Sequence, residues 1–162
     1  MKIKVVRTMD AALIRSIVTE PAAFASRAED GYVVDDVQVV IDPLIHWLLL
    51  VTEDEGGARQ VRGVAIGTPL SKSVLDFHII ILPEFWRQAV NIDLARLAVK
   101  YLLTHTGKAK VNATVPVSSQ SVIRFLQRVG FKREGLNRAS FRHKGELVDQ
   151  CYLGFTQASL GE

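Results

Sequence analysis

"ILPEFWRQAVNIDLARLAVKYLL", residues Ile81 to Leu103, reads as the end of a buried strand, a short loop and a long helix. Leu94, Leu97, Ala98, Tyr101 and Leu102 recur at helical spacing, and Gly107 is the natural residue to stop that helix. A strand running into a helix leaves the first helical N–H groups without partners in the chain, which suits the junction to an anion. Loops that do this are usually glycine-rich. This one offers Trp86, Arg87, Gln88, Ala89, Val90 and Asn91.

Upstream lie three apolar runs, "HWLLLVTE", "VRGVAIGTPL" and "VLDFHIIIL", broken by "DEGG" and "SKS". Short turns between such runs predict an antiparallel meander. The last run is almost continuously apolar, so it should lie centrally with both faces covered. Before it, "KIKVVRT" reads as a strand, and Asp10 is placed to cap a helix whose apolar face is Leu13, Ile14, Ile17 and Val18. Pro21 suits the first position of a second short helix through "AAFASRA", ended by "EDG". The β-branched residues of "YVVDDVQVVIDP" suggest extended structure, without fixing its place.

Downstream, "VNATVPV" alternates, with Val111, Ala113, Val115 and Val117 on one face. Pro116 lacks the N–H a ladder needs, so one side of that strand end should be unpaired. A helix starting near Ser118 or Ser119 would turn Val122, Phe125, Leu126 and Val129 inward and stop at Gly130. "LNRASFRH", a Lys144-Gly145 turn and "ELVDQCYLGF" then make a closing hairpin. With no repeat and no linker, the expectation is one mixed α/β domain over residues 1–162.

At 162 residues the chain can bury a core without staples. One cysteine, Cys151, excludes an internal disulfide, and no Cys/His cluster has zinc-ligand spacing. "MKIKVVRTMD" lacks the apolar run of a signal peptide, and no apolar stretch reaches membrane-spanning length. The expectation is a soluble, cytoplasmic protein with no membrane partner. Net charge is +3 but uneven: residues 1–60 carry six Lys/Arg against ten Asp/Glu, and residues 61–162 fourteen against seven. A basic second part suits a phosphorylated small ligand or a nucleic acid. Basic residues interleaved with aromatics are missing, which disfavours nucleic acid.

The order strand, two helices, three-strand meander, helix, strand, helix, hairpin resembles the Gcn5-related N-acetyltransferases. Three blocks carry the resemblance: "ILPEFW" before the cofactor loop; "VPVSSQSVIRFLQRVGFKREG", closing on Gly130, Phe131, Glu134 and Gly135; and "HKGELVDQCYLGF", with Gly145 at its turn. It covers most of the chain from His46 onward. The degenerate loop makes the chain look closest to short proteins of this type encoded by tailed phages.

The resemblance implies a mixed, mostly antiparallel sheet with a splayed parallel pair, here "VLDFHIIIL" and "VNATVPV". Acetyl-coenzyme A (acetyl-CoA) would lie in the gap, its pantetheine arm against the strand end at Ile81 and Leu82. Its pyrophosphate would take the amides of Gln88, Ala89, Val90 and Asn91, with help from Arg87. Ser119 stands where the family has a helix-start asparagine. Pro83 and Pro116 would each remove a ladder donor where the strands separate. The family's loop is Gln/Arg-x-x-Gly-x-Gly/Ala. Ala89 falls at the first glycine and Asn91 at the second small position, with Trp86 where Gln or Arg is expected. An alanine forced to φ > 0 costs roughly 1–2 kcal/mol, and asparagine tolerates it better.

Chemistry is the second departure. The family's usual proton donor to the departing thiolate is a tyrosine, and that position is Leu126 here; Tyr101 and Tyr152 are candidate substitutes, though each reads first as core or hairpin packing. For the base, His78 and Asp76 sit on the central strand and Glu84 just beyond it. His78 has the chemistry required, and "DFHII" gives it apolar neighbours that would desolvate it. A hydrogen-bonded histidine within the sheet is an equal reading. Two functions follow: direct acetyl transfer from acetyl-CoA to a primary amine of undefined identity, or a binding or structural protein that keeps the fold without turnover, such as a virion component. The expected partners follow the same division: the coenzyme and an amine acceptor, or further copies and virion proteins.

Overall fold

In the computed structural model, which describes residues 1–161, the local signals act where the residues predict them. After strand β1 (Lys2–Arg7), the Asp10 carboxylate accepts from the Leu13 amide at 3.0 Å and opens α1 (Ala11–Val18). Pro21 is the first residue of α2 (Pro21–Arg27), capped by Glu20. The meander follows as β2 (His46–Glu53), β3 (Arg59–Pro69) and β4 (Val74–Ile81). A 3-10 turn at Pro83–Phe85 leads to α3 (Val90–Thr106), which ends on Gly107 at φ 68°, the left-handed conformation glycine permits. The chain closes with β5 (Lys110–Pro116), α4 (Gln120–Val129), β6 (Lys132–His143) and β7 (Glu146–Thr156).

The seven strands form one sheet in the order β1-β2-β3-β4-β5-β7-β6. Every neighbouring pair is antiparallel except β4 with β5. One face packs on α3 and α4 through Leu48, Leu75, Phe77, Val111, Leu126 and Phe131 among others. The opposite face packs on α1 and α2 through Trp47, Val64 and Ile80. Among the described residues no helix is long and apolar enough to cross a membrane.

Three expectations are corrected. "YVVDDVQVVIDP" is extended at Val33 and Val37 as expected but joins no ladder and is broken by a 3-10 turn at Val34–Asp36, and side chains clamp its carbonyls in place of a strand partner. Arg15 donates to the Val37 carbonyl at 2.6 Å and the Trp47 indole to Val40 at 2.9 Å, while Val37 and Val39 pack against the α1/α2 core. On α4, Val122 is 40% exposed and Ile123 takes the inward position with Leu126 and Val129. Adjacent Val122 and Ile123 are equivalent in a periodicity, and docking against β5 and α3 selects between them. On α3, Leu97 and Tyr101 flank the face, and Ala95, Val99 and Leu103 lie deeper. That helix packs on the sheet and on α4 together, so its buried stripe is wider than one apolar row.

His46, at the start of β2, has its Nδ1 buried without a partner. Burial first, then the positive charge of Arg7, push its pKa below the usual histidine range. The folded state thus binds the proton less readily than the unfolded chain, so this contribution is present above about pH 6.5 and lost as pH falls below it. Denaturant midpoints should therefore fall between pH 7.5 and 5.5, and His46→Gln should flatten that slope; an unchanged slope would refute the assignment.

Candidate functional site

The two parallel strands fork. β4 and β5 pair only through Val74–Asp76 and Lys110–Asn112, after which Phe77–Ile81 and Ala113–Pro116 diverge. β4 stays paired with β3 as far as Ile81, and β5 with β7 as far as Pro116. The Leu82 amide donates to Arg62 and the Lys110 amide to Ser73. By the strict alternation of strand backbones, the N–H and C=O groups of Ile79, Ile81 and Thr114 point into the gap. Pro116 has the same parity, so its missing N–H is on the gap side; the prolines do not cause the fork, which opens earlier. Leu82 leaves the expected set, because its amide belongs to the β3 ladder. Ile81 stays at the gap, its carbonyl accepting from the Trp86 indole at 2.7 Å.

At the end of the gap, the loop differs from the glycine pattern in where its strain sits. Ala89 is helical at φ −59°, and Arg87 takes the left-handed conformation at φ 63°. The Asn91 amide donates to Gln88 and that of Ile92 to Ala89. Among the described residues, the four amides from Arg87 to Val90 have no acceptor in the chain. The free set is therefore shifted by one residue from Gln88–Asn91. Asn91 is 4% exposed, and its Nδ2 donates to the Phe85 carbonyl at 2.8 Å, leaving Oδ1 buried without a partner. Ser119 precedes α4 and donates its amide to Pro116, but its hydroxyl makes no capping bond.

On the α1/α2 face of the fork, Asp76, His78, Asn112, Thr114 and Tyr152 share strand parity, with Asp76 opposite Asn112 and Thr114 opposite Tyr152. The expected apolar burial of His78 is corrected. Its side chain is 55% exposed, because its neighbours Phe77 and Ile79 point to the other face. His78 Nε2 lies 2.8 Å from Asp76 Oδ2. A neutral imidazole in this pair carries its proton on Nε2 and leaves Nδ1 as an acceptor. Asn112 Oδ1, at the last paired position, is buried without a partner. Tyr152 is 41% exposed on this face, whereas Tyr101 stacks on His105 at 3.8 Å. Glu84 is exposed on the turn after β4. Leu126 is 2% exposed within the core.

Beside this face is an open cavity of about 520 Å³, lined by Phe24, Arg27, Glu29, Asp36, Phe141 and Gln150 among others. Glu29 and Asp30 frame it by holding the end of the β6–β7 hairpin. Glu29 accepts from the Arg142 amide at 2.7 Å, and Asp30 from Gly145 at 2.8 Å and Lys144 at 3.2 Å. The Gly145 N–H, more than any other group, holds the Asp30 carboxyl below the usual carboxylate range. Asp76 as the partner of His78, and the shifted amide set, were not legible before folding. The signal for the pair, an Asp-x-His spacing on one strand face, was present.

This topology, with a mixed sheet forked at its one parallel pair and four helices about it, is the Gcn5-related N-acetyltransferase fold. Among solved structures, the chain is similar to spermidine N-acetyltransferase SpeG from Vibrio cholerae in complex with CoA and spermine. The identity is 18% over 99% of this chain and 98% of that one, with a TM-score of 0.79. A chimera of SpeG from Vibrio cholerae and hSSAT superimposes at the same TM-score, 0.79, with 18% identity over 100% and 99% of the two chains. A second such chimera gives 0.76 at 16% identity over 100% of both. At these identities the likeness establishes the fold. No protein-family model and no curated protein sequence matches the chain. The expected likeness to short phage-encoded proteins has no counterpart among these neighbours.

Proposed function

We propose that the protein is an acetyl-CoA-dependent N-acetyltransferase that transfers the acetyl group directly to a primary amine. The observation that carries this reading is the combination of a forked parallel strand pair, with unpaired backbone groups facing the gap, and four free amides at Arg87–Val90 where α3 begins. An amide-rich pantetheine arm suits the Ile79 and Thr114 groups and the Ile81 N–H much as an added strand would. A pyrophosphate suits the amides at the start of α3. The orphaned acceptor Asn112 Oδ1, where the strands part, suits an N–H donor of such a ligand. When bound, acetyl-CoA supplies an activated acyl group as its thioester.

The chain's own groups divide the remaining work. Gap-facing strand amides are suited to polarise the thioester carbonyl. The amine enters from the α1/α2 face, where His78 Nδ1 takes its proton directly or through one water, held in orientation by Asp76. The Tyr152 hydroxyl, on the strand face it shares with Thr114, is suited to return a proton to the departing thiolate in place of the tyrosine that Leu126 replaces. Glu29 and Asp36 against Arg27 leave the adjoining cavity with net negative charge, which favours a cationic acceptor. Since the SpeG neighbour is in complex with spermine, polyamines are the first acceptors to test.

Calorimetry with coenzyme A at low salt tests binding, and acetyl-CoA consumption across a panel of amines tests turnover. No heat and no thermal shift would refute the reading. Exposed Arg87 is expected to assist the phosphates, and Arg87→Glu should weaken binding by about 1–3 kcal/mol. An unchanged affinity would remove Arg87 from the site.

A further inference from the structure

Beneath the same loop is a cation with no counter-charge. Arg62 is 6% exposed, although it belongs to a strand. It is the extra residue of a β-bulge: Leu50 pairs with Gly63 and Val51 with Val61, leaving Arg62 without an opposite number on β2. Bulges re-aim a side chain, often beside a functional site. The residue after it must be glycine, because a Cβ on Gly63 would lie 2.0 Å from the Ile80 carbonyl oxygen.

The bulge sends the guanidinium under the loop. It lies 4.6 Å over the Phe85 ring, donates from Nε to Thr52 Oγ1 at 2.9 Å and from Nη1 to the Gln88 amide oxygen, and meets Met1 Sδ from Nη2 at 3.9 Å. All these partners are neutral. Among the described residues, no carboxylate pairs with Arg62, and Glu53 is already engaged by Lys4 and Arg59. A buried charge without an opposite charge is expensive, and a packed apolar side chain would serve stability better. Gln88, the one loop residue Arg62 holds, lies within the run of four free amides.

We propose that Arg62 is the buried counter-charge of the coenzyme's diphosphate, and so a positioning residue for the reaction rested on above. It pins Gln88 and with it the amide run, and it places positive potential under the phosphates where the loop has lost its glycines. This is a through-space and through-Gln88 role; the guanidinium does not itself reach the surface.

The test uses the whole chain as wild type, Arg62→Met and Arg62→Lys, titrated with coenzyme A and, at millimolar concentration, with uncharged pantetheine. Arg62→Met should lower coenzyme A affinity about ten- to thirtyfold, the scale of one charge acting at moderate effective dielectric, and leave pantetheine unchanged. Arg62→Lys should recover part of the loss. Equal coenzyme A affinity in Arg62→Met, or a parallel loss for both ligands, would overturn the inference and return Arg62 to packing. If Arg62→Met does not fold, Gln88→Leu, at an exposed position, severs the same link. It should cost coenzyme A affinity severalfold and spare pantetheine, and no change would overturn the inference. A wild-type chain that binds no coenzyme A would overturn the functional reading itself, and this inference with it.

Discussion

His78→Gln is expected to lower turnover by about 10²–10⁴-fold, the usual loss when a general base is removed, with the fold and coenzyme A affinity intact. The fold should survive because His78 is more than half exposed and packs into neither core cluster. Coenzyme A affinity should survive because its proposed contacts are backbone groups of the gap and loop. A glutamine can keep the hydrogen bond to Asp76 but offers no basic nitrogen. Asp76→Asn should give a smaller loss, since it removes the orienting acceptor and spares the base. Unchanged turnover in His78→Gln would return His78 to a structural role and make Glu84 the next candidate. Absence of turnover in the wild type across a broad amine panel would favour a protein that binds without catalysing.

Leu126→Ala should cost roughly 2–5 kcal/mol of stability, the range for a buried leucine truncated into a core that relaxes only partly. Leu126 is 2% exposed in the cluster that includes Ile123, Val129 and Phe131. Its carbonyl accepts from Gly130 and Phe131, and both bonds survive the substitution, so the loss isolates the side chain. Denaturant unfolding measures it. A mutant as stable as the wild type would contradict the placement. Leu126 therefore acts as packing at a position where the family resemblance implies chemistry, which leaves the proton for the thiolate to another hydroxyl or to water.

The element order was legible because its signals are local. Asp10 and Pro21 start helices, Gly107 and Gly130 stop them, and Lys144-Gly145 turns the hairpin with both residues at positive φ. Capping and turn chemistry depend on residues within a turn of one another, so they survive removal from their context. The alternation of Val111, Ala113 and Val115 likewise predicted which face of β5 is buried. "YVVDDVQVVIDP" was not legible for the opposite reason. Its conformation is set by Arg15 and Trp47, from distant parts of the chain.

The candidate site divides along the same line. By itself the sequence determined a strand-loop-helix junction, a histidine and an aspartate on one strand face, and the absence of loop glycines and of a tyrosine at Leu126. Tertiary structure alone decided that β4 and β5 separate after Asp76 and Asn112, since a fork depends on how two strands distant in the chain are held by β3 and β7. It also decided that Arg87, not Ala89, takes the strained conformation, and that His78 is exposed. Finally, it brought Arg62 under Gln88, 26 residues away. Residue types and spacings are properties of the chain, whereas burial, pairing and the field at a site come from contacts that exist only once the sheet has closed.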